Sequence, residues 1–291
     1  MMVLVIGNPA AGRGQALSEA RKLIRILESR GHEAELFSTR KPGDAARRAS
    51  LVGSEVDALV IAGGDGTVNE ILNGLPDPSR TPLLHLPTGT ANMLSRELQL
   101  PPHTEDLARI IERGDVRWAD MGIVNGRRFL LLVTCGFDAA VAYEVRKSRG
   151  EKLGYRGYLR PVVRGLGNYE LGQMRVSVDG KSTEIGCHVM VLKAQNYGGL
   201  LMFSRSAALD SGRFDICVFK KGSVLSLARY CIAGLLRMNG LLRDVVYCTG
   251  KRVTIESECP CPVEVDGDYV GSTPLTIDLV EKKVPLLVGP T

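Results

Sequence analysis

The sequence predicts an α/β domain with a parallel sheet, followed by a mostly antiparallel β domain. Strand and helix signals alternate through about the first hundred residues. After about Trp118, two-residue turn signals appear between apolar segments, as in β-hairpins: Asn125-Gly126, Asp179-Gly180 and Asp266-Gly267. The length of 291 residues is enough for two separate cores. We therefore expect domains over residues 1–118 and 119–283, with a tail at about 284–291 that packs back on the first.

Within the first domain, apolar runs predict four strands, at residues 3–6, 35–37, 58–62 and 83–86. A helix is predicted from one apolar face, formed by Ala16, Leu17, Ala20, Leu23, Ile24 and Leu27. Two more helices are predicted over residues 44–51 and 104–111. This alternation is typical of a parallel sheet that binds its ligands at the carboxyl ends of the strands. The second domain is predicted to contain helices over residues 153–166 and 224–236.

The composition, 44% hydrophobic and 24% charged, is that of a globular protein. The apolar N-terminus runs into Gly7-Asn8-Pro9 with no basic segment before it, so we expect no signal peptide. The apolar stretch at residues 224–242 contains Arg229 and Arg237 and is not predicted to span a membrane. Seven cysteines without metal-type spacing predict free thiols and a cytoplasmic location. The net charge of +5 favours anionic partners.

The segment Gly63-Gly64-Asp65-Gly66-Thr67 joins a predicted strand to a predicted helix. Glycines here expose backbone N–H groups at a helix N-terminus, where phosphate binds well. Asp65 would repel a phosphate unless a divalent cation lay between them, so the segment indicates a nucleotide with Mg²⁺. Thr67 and Glu70 fit a capping box that starts the helix at Thr67. Taken alone, the segment is also consistent with an ordinary turn.

Two further loops carry groups that suit a nucleotide. Residues 7–14, Gly-Asn-Pro-Ala-Ala-Gly-Arg-Gly, follow the first strand but lack the Gly-Lys-Ser/Thr ending of a P-loop, which excludes a Walker-type NTPase. Residues 88–92, Thr-Gly-Thr-Ala-Asn, follow the fourth strand and offer hydroxyl and amide groups to phosphate or ribose. Arg96, one turn further on, is suited to neutralise transferred charge. Each loop alone is also typical of a turn before a helix.

Together these motifs form an ordered set that resembles the diacylglycerol kinase catalytic domain, the lipid-kinase family that includes sphingosine and ceramide kinases. The resemblance covers nearly the whole chain. Its motifs are Asn8-Pro9-Ala10-Ala11-Gly12, Thr39, Gly63 to Thr67 with Asn69 and Glu70, Gly89-Thr90-Ala91-Asn92, Asp120-Met121-Gly122, Gly136-Phe137-Asp138-Ala139, Asn196-Tyr197-Gly198-Gly199 and Val265-Asp266-Gly267-Asp268. It implies an NAD kinase/diacylglycerol kinase-like fold and an ATP-dependent enzyme that phosphorylates a lipid hydroxyl, with its site in the cleft between the domains.

The resemblance also implies a role for each matched residue. The implied ATP-binding residues are Asn8, Thr39, Gly63, Gly64, Asp65, Gly66, Thr67, Asn69, Glu70, Gly89, Thr90 and Asn92. Asp65 and Asp120 are implied to organise the catalytic Mg²⁺. Asp266 and Asp268 are implied to face the acceptor hydroxyl, where phosphoryl transfer needs a carboxylate within reach of the proton. Taken alone, Asp266-Gly267-Asp268 is more typical of a hairpin turn.

Four positions depart from the family's pattern. The family usually has glutamate at the position of Asp268, so either Asp268 acts through water or Asp266 is the base. Its structural metal loop usually contains Asp-Asp-Gly, whereas here Asp210-Ser211-Gly212 stands, with Arg205 in place of a common proline, which puts a metal at Asp210 in doubt. Met93 replaces the usual aspartate after Asn92.

The predicted partners are a lipid substrate and an anionic membrane surface. Residues 144–164 contain seven basic and two acidic residues, and Arg156, Arg160 and Arg164 share one helical face. We interpret this basic segment as a peripheral docking surface for lipid head groups, each charge contributing about 1 kcal/mol, with a solvated helix face as the alternative. No nucleic-acid-binding module accompanies the charge. Residues 224–242 predict a core helix or, alternatively, a lining of the lipid pocket. A homodimer stays open.

Two other functions remain open on the sequence alone. An NAD kinase shares Gly-Gly-Asp-Gly-Thr, although Asn8-Pro9 and the hairpin at Asp266 favour the lipid kinase. A non-catalytic regulator that binds nucleotide or lipid would be compatible with the shorter Asp268 and the altered metal loop. The sequence does not determine the acceptor, which could be diacylglycerol, monoacylglycerol, a sphingoid base or another lipid alcohol.

Overall fold

The computed structural model describes residues 1–137, 139 and 172–290 and divides into two compact units. The first unit consists of Met1–Met121 together with Glu281–Thr291, and the second of Gly122–Val280. The predicted helix at residues 153–166, the basic segment at residues 144–164 and Asp138 of the Gly136 motif lie outside the described residues.

The first unit alternates strands with helices, as predicted. Its strands are β1 (Met2–Gly7), β2 (Glu33–Ser38), β3 (Ala58–Gly63) and β4 (Leu83–Pro87). Its helices are α1 (Gln15–Ser29), α2 (Asp44–Ala49), α3 (Asp65–Gly74), α4 (Met93–Glu97) and α5 (Thr104–Arg113), with a 3₁₀ helix at Ala11–Gly14. The strands pair in the order β2-β1-β3-β4, and every pair is parallel.

The parallel register brings the carboxyl ends of these strands to one edge of the sheet. Gly7 pairs with both Ser38 and Ala62, and Gly63 pairs with Pro87. β3 is buried along its whole length, as expected for a strand covered on both faces. Leu287, from the C-terminal part of the unit, is buried in the same core as α1 and α5. The loops after β1, β3 and β4 therefore leave the sheet at the same edge.

The start of α3 differs from the prediction. The helix begins at Asp65, directly after β3, with Gly64 as its N-cap, so the capping box at Thr67 and Glu70 is wrong. Gly64 is extended, which lets the chain turn straight from strand into helix. The Oε1 atom of Glu70 instead accepts hydrogen bonds from the N–H groups of Ala45 (3.1 Å) and Ala46 (3.4 Å). Glu70 therefore caps α2, the neighbouring helix.

The second unit is built mostly from antiparallel strands, as predicted. Strands β5 (Val116–Val124) and β18 (Leu275–Leu287) run through the division between the units. The others are β6 (Arg127–Phe129), β7 (Leu132–Cys135), β8 (Met174–Val178), β9 (Ser182–Gly186), β10 (His188–Leu192), β11 (Asn196–Tyr197), β12 (Leu201–Met202), β13 (Phe214–Phe219), β14 (Val245–Gly250), β15 (Arg252–Ser257), β16 (Pro262–Val265) and β17 (Asp268–Ser272).

Two antiparallel layers enclose the core of this unit. One has the order β14-β13-β10-β7-β16-β17, and the other contains β18-β15-β8-β9. Buried side chains from both layers form one cluster, among them Phe129, Val191, Phe214, Val253 and Ile277. This arrangement is a β-sandwich, in which inward-facing side chains of two sheets interdigitate.

The predicted hairpin turns are present. Asn125 and Asp266 have φ of 48° and 47°, and the glycine after each also has a positive φ. β5 pairs with β6 and β16 with β17 across two-residue loops at these positions. Two consecutive residues at positive φ are the mark of a type I′ turn, so each dipeptide closes its hairpin as predicted.

One long helix of the second unit is α6 (Val224–Leu235), with a 3₁₀ helix at Asn239–Leu241 after it. The prediction of a core helix is wrong for half of it, because the residues on its outer face are exposed, led by Leu225 at 82%. Among the described residues, no helix is both long and apolar enough to cross a membrane.

Candidate functional site

Three loops of the first unit meet at the carboxyl edge of its sheet. The Asn8 side chain, after β1, donates through Nδ2 to the Thr67 hydroxyl in α3 (3.2 Å). Gly12, in the 3₁₀ helix, has φ of +59°, and a Cβ there would lie 2.3 Å from the Thr88 carbonyl oxygen after β4. We call residues 8–14, 63–67 and 88–92 the donor loops. Their contacts join all three into one surface.

The closest approach within the donor loops requires two glycines. A Cβ on Gly89 would lie 2.5 Å from the Gly64 Cα, and one on Gly64 would lie 3.1 Å from the Gly89 Cα. Asn92 fixes the loop at residues 88–92, since its Oδ1 accepts from the Gly89 N–H (2.8 Å) and its Nδ2 donates to the Gly89 carbonyl (3.0 Å). Backbones this close leave N–H groups accessible to a ligand without side chains in the way.

Asp65 is the first residue of α3 and is partly exposed. Its Oδ1 accepts a hydrogen bond from the Leu94 N–H in α4 (3.2 Å), which fixes the carboxylate beside the helix N-terminus. The N-cap Gly64 has no side chain, so nothing from that position covers the N–H groups of the first turn. A helix N-terminus that favours an anion, beside a carboxylate that favours a cation, fits a nucleotide bound with Mg²⁺.

His85 contacts the donor loops at Gly63, although no spacing in the sequence assigns it a role. It is buried in β4, and its Nε2 donates to the Gly63 carbonyl at 3.0 Å, an atom that also accepts from the Thr88 N–H at 3.0 Å. Burial lowers the pKa of His85 below its ordinary value of 6.5, against the opposing effects of Asp65 and of the hydrogen bond to Gly63. The imidazole therefore supports the turn in its neutral form.

The other predicted ATP-binding residues occupy varied positions. Thr39 follows β2 and is buried, with its N–H donating to the Gly7 carbonyl (2.9 Å). Asn69 is buried within α3, and Thr90 is exposed in the donor loops. Arg96 donates through Nε to the Ala91 carbonyl (2.9 Å), so part of its guanidinium is committed to its own loop. Glu70, as described above, caps α2.

Asp120 is buried in the first unit and forms an ion pair with Lys283, whose Nζ lies 3.0 Å from Oδ1. Lys283 belongs to the C-terminal part of the same unit. Its ammonium neutralises the carboxylate that the resemblance assigned to Mg²⁺. The sequence could not indicate this pairing, because 162 positions separate the two residues in the numbering.

In the second unit, Asp266 forms part of the hairpin itself. Its carboxylate accepts three backbone hydrogen bonds, from the N–H groups of Leu130 (3.1 Å), Leu131 (3.0 Å) and Leu132 (2.9 Å). The residue is buried, and its own N–H donates to the Leu132 carbonyl (3.1 Å). Asp266 therefore ties the β16–β17 turn to the start of β7.

Asp268 begins β17 and faces a different environment. Its side chain is 30% exposed, and Oδ2 lies 3.0 Å from a terminal nitrogen of Arg127, in β6. Glu264 braces the turn between them, since its Oε1 accepts from the Gly267 N–H (2.6 Å) and its Oε2 from the Thr134 hydroxyl (2.6 Å). The hairpin therefore presents one accessible carboxylate, Asp268, on a frame that buries two others.

The side chain of a lysine from elsewhere in the chain contacts the loop at Asp210-Ser211-Gly212. Lys193 is completely buried, and its Nζ donates to the Ser211 hydroxyl and to the Arg213 carbonyl, both at 2.9 Å. Asp210 is exposed. In the part of the chain that the structure describes, no group of three His, Cys, Asp or Glu residues could hold a metal ion. The Lys193 ammonium supplies a positive charge to the loop for which a structural metal was considered.

Comparison with known proteins decides the family. The model for the diacylglycerol kinase catalytic domain matches residues 2–124. The model for the YegS C-terminal NAD kinase beta sandwich-like domain matches residues 132–288, which is more than half of the chain. The chain belongs to the diacylglycerol kinase catalytic-domain family. Relatives of the chain carry the name diacylglycerol kinase, and the chain is accordingly a lipid kinase.

Relatives of this lipid kinase match it over nearly its full length. A diacylglycerol kinase of Bacillus subtilis strain 168 is 28% identical over 279 residues, covering 93% of this chain and 90% of the relative. A diacylglycerol kinase of Staphylococcus aureus strain bovine RF122 / ET3-1 is 28% identical, covering 96% and 90%. A crystal structure of a diacylglycerol kinase from Bacillus anthracis strain Sterne superposes with a TM-score of 0.79 at 28% identity, covering 99% of this chain and 97% of that one.

Proposed function

We propose that this lipid kinase transfers the γ-phosphate of ATP to a hydroxyl of diacylglycerol or a closely related lipid. The observation that carries the proposal is the meeting of the three donor loops at one sheet edge, with Asp65 at the N-terminus of α3. The relatives named diacylglycerol kinase make diacylglycerol the first candidate acceptor. In this proposal, the first unit binds ATP and the second unit activates the acceptor.

On the donor side, the phosphates of ATP bind to the backbone N–H groups at Gly64, Asp65 and Gly66, where the helix dipole of α3 adds attraction. Asn8, Thr39 and Thr90 contribute polar groups to the rest of the nucleotide. Asp65 would hold Mg²⁺, which would neutralise the negative charge that develops on the transferred phosphate. Asp120, Asn69 and Glu70 act as positioning residues, because each is buried or committed to a partner within the unit.

On the acceptor side, Asp268 accepts the proton of the lipid hydroxyl as that oxygen attacks the γ-phosphorus and ADP leaves. Its partial exposure and its ion pair with Arg127 support this role, because the carboxylate is both oriented and accessible. Aspartate reaches one methylene less far than the glutamate usual in the family, so the proton passes through a water molecule. Asp266 holds the hairpin and is a positioning residue rather than the base.

A lipid acceptor requires contact with a bilayer, so we propose that the protein binds membranes peripherally, on the cytoplasmic side. The thiols of Cys135 and Cys217 are buried, and burial raises the pKa of each, so both stay protonated and unreactive at neutral pH. The proposal does not require a particular oligomeric state, and a homodimer is compatible with it.

Transfer of ³³P from γ-labelled ATP to a panel of acceptors tests the proposal. The panel contains three dispersed lipids, dioctanoylglycerol, monoacylglycerol and sphingosine, together with NAD, and thin-layer chromatography separates the products. We expect label in phosphatidic acid at a higher rate than in the product of any other acceptor, and transfer that is slower by about 10²–10³-fold with Asp65→Asn. Label in sphingosine phosphate would show that the acceptor is a sphingoid base and would leave the proposed mechanism unchanged. Absence of label in every lipid, with a folded protein that binds ATP, would contradict the proposal.

A further inference from the structure

Helix α6 is firmly attached to the second unit by one of its faces. Tyr230 is almost fully buried and packs on Phe219, with ring centroids 4.8 Å apart. Its hydroxyl donates to Asp244 (2.8 Å), and burial with this hydrogen bond raises the pKa of Tyr230 to about 12. Arg229 forms an ion pair with the same carboxylate. The orientation of the helix is therefore fixed, and so is the identity of its outer face.

That outer face is apolar, although an outer face in a globular protein is ordinarily polar. Leu225 is 82% exposed and Leu241, in the 3₁₀ helix that follows, is 70% exposed. The large exposed apolar residues of this region are Val224, Leu225, Ile232, Leu235, Leu236, Met238 and Leu241. Leu225 and Ile232 of α6 and Leu236, its C-cap residue, are spaced by seven and four residues and lie along one side of the helix. We call these seven side chains the α6 apolar face.

Positive charge borders the α6 apolar face. Residues 220–244 contain five basic residues, all in the exposed class: Lys220, Lys221, Arg229, Arg237 and Arg243. Two of these five bases are ion-paired: Arg229 with Asp244, the one acidic residue in this range, and Lys220 with Glu184. An apolar helix face with a basic border is complementary to an anionic bilayer, because acyl chains cover the apolar side chains while head groups pair with the bases.

We infer that the α6 apolar face is the surface by which this protein docks on a bilayer of anionic lipids. The inference rests on the proposed function only in that a lipid acceptor gives the docking its purpose. A patch of this extent on a protein surface marks an interaction site. The border of five bases favours a bilayer over a second copy of this chain, since two such borders would repel each other on self-association.

The first test measures vesicle binding without nucleotide, so it does not depend on catalysis. Vesicles of phosphatidylcholine with 30% phosphatidylglycerol are sedimented with wild type, with Leu225→Glu/Leu236→Glu and with Leu51→Glu. Leu51 is 70% exposed in the first unit, so its variant carries the same chemical change away from α6. We expect about a tenfold or greater loss of partitioning for the double variant, from two lost insertions, and none for Leu51→Glu. Equal binding of all three would overturn the inference.

A second measurement keeps the test decisive if the double variant is destabilised. Leu225→Trp retains the apolar character of the face, and in a Trp118→Phe background it provides a single reporter. We expect its fluorescence to shift to the blue and to be quenched by brominated acyl chains, whereas Leu51→Trp in the same background is not quenched. No quenching at Leu225→Trp would overturn the inference. A second outcome would also overturn the inference: analytical ultracentrifugation shows that wild type forms a dimer and the double variant does not, and wild type does not bind vesicles.

The proposed function can fail separately. Phosphorylation of dioctanoylglycerol, which is dispersed in water, needs no docking, and we expect the double variant to retain it. Loss of vesicle binding with that activity intact supports the inference. Vesicle binding by a wild type that phosphorylates no lipid would leave the docking surface established and the proposed function refuted.

Discussion

The donor loops of the first unit and the hairpin of the second hold their functional groups by opposite means. In the donor loops, the absence of side chains is decisive, because Gly64 and Gly89 let two backbones pack against each other. In the hairpin, side chains fix the geometry, because the carboxylates of Asp266 and Glu264 accept backbone hydrogen bonds that position Asp268. Substitutions that add atoms should therefore impair the donor loops, whereas substitutions that remove charge should impair the hairpin. Asp65 is the exception, a charge on which the donor loops depend.

Within the donor loops, the largest expected effect is at Asp65. Asp65→Asn keeps the shape of the side chain, and its Oδ1 still accepts from Leu94, but it removes the charge that holds Mg²⁺. We expect kcat to fall by about 10²–10³-fold, as for loss of one electrostatic stabiliser, with the midpoint of urea unfolding unchanged. Asp106→Asn, in an exposed i,i+3 ion pair on α5, is the matched control and should retain full activity. Near-normal turnover by Asp65→Asn would remove the Mg²⁺ role.

A single added methyl group tests the donor loops themselves. Gly89→Ala places a Cβ 2.5 Å from the Gly64 Cα, so the two loops must separate. Strain of about 1–3 kcal/mol corresponds to roughly 5- to 150-fold in affinity, and we expect the Kd for MgATP to rise accordingly. Gly240→Ala is the control, because its Cβ would meet nothing within 4 Å. Isothermal titration calorimetry measures both, and equal affinities would show that the loops do not need this contact.

The buried ammonium of Lys193 is a test of stability rather than of catalysis. Lys193→Met keeps the length of the side chain but leaves the Ser211 hydroxyl and the Arg213 carbonyl without this donor. We expect a loss of about 1–3 kcal/mol in the free energy of unfolding. EDTA should leave the unfolding of the nucleotide-free wild type unchanged, because the Lys193 ammonium already supplies a positive charge to the Ser211 hydroxyl and the Arg213 carbonyl. A fall in stability with EDTA would restore a structural metal to the Asp210 loop.

The smallest expected effect comes from His85 and depends on pH. Because its folded pKa is lowered below 6.5, the unfolded chain binds the proton more tightly. Its contribution to stability is therefore complete above pH 6.5 and is lost as the pH falls below that value. We expect wild type to lose more stability than His85→Gln between pH 7.5 and 5.5, measured by urea unfolding. Parallel losses would show that the histidine does not titrate in this way. The wild-type slope alone is not diagnostic, since other groups also titrate there.

Much of this could be predicted from the sequence, because it depends on local patterns. The βαβ alternation, the hairpin dipeptides at Asn125 and Asp266 and the glycine turn at Gly63 each act within a few residues. What could not be predicted depends on contacts distant in sequence. The ion pair of Asp120 with Lys283, the hydrogen bond of His85 to Gly63 and the cap that Glu70 provides for α2 have no local signal. The apolar composition of α6 predicted burial, and only the fold shows which face is outside.

The assignment of roles within the hairpin can be checked by one pair of variants. Asp266→Asn places an NH₂ group among three N–H donors, so we expect it to lower the free energy of unfolding by about 1–3 kcal/mol. Asp268→Asn changes a partly exposed carboxylate paired with Arg127, and we expect little change in stability.

Steady-state kinetics of Asp268→Asn, with MgATP affinity measured on the same protein, test the central claim most directly. We expect kcat toward dioctanoylglycerol to fall by about 10²–10⁴-fold, the usual contribution of a general base, while the Kd for MgATP stays within a factor of two of wild type. Retained kcat would exclude Asp268 as the base. A Kd for MgATP weakened tenfold or more would contradict the division of labour between a unit that binds the donor and a unit that activates the acceptor.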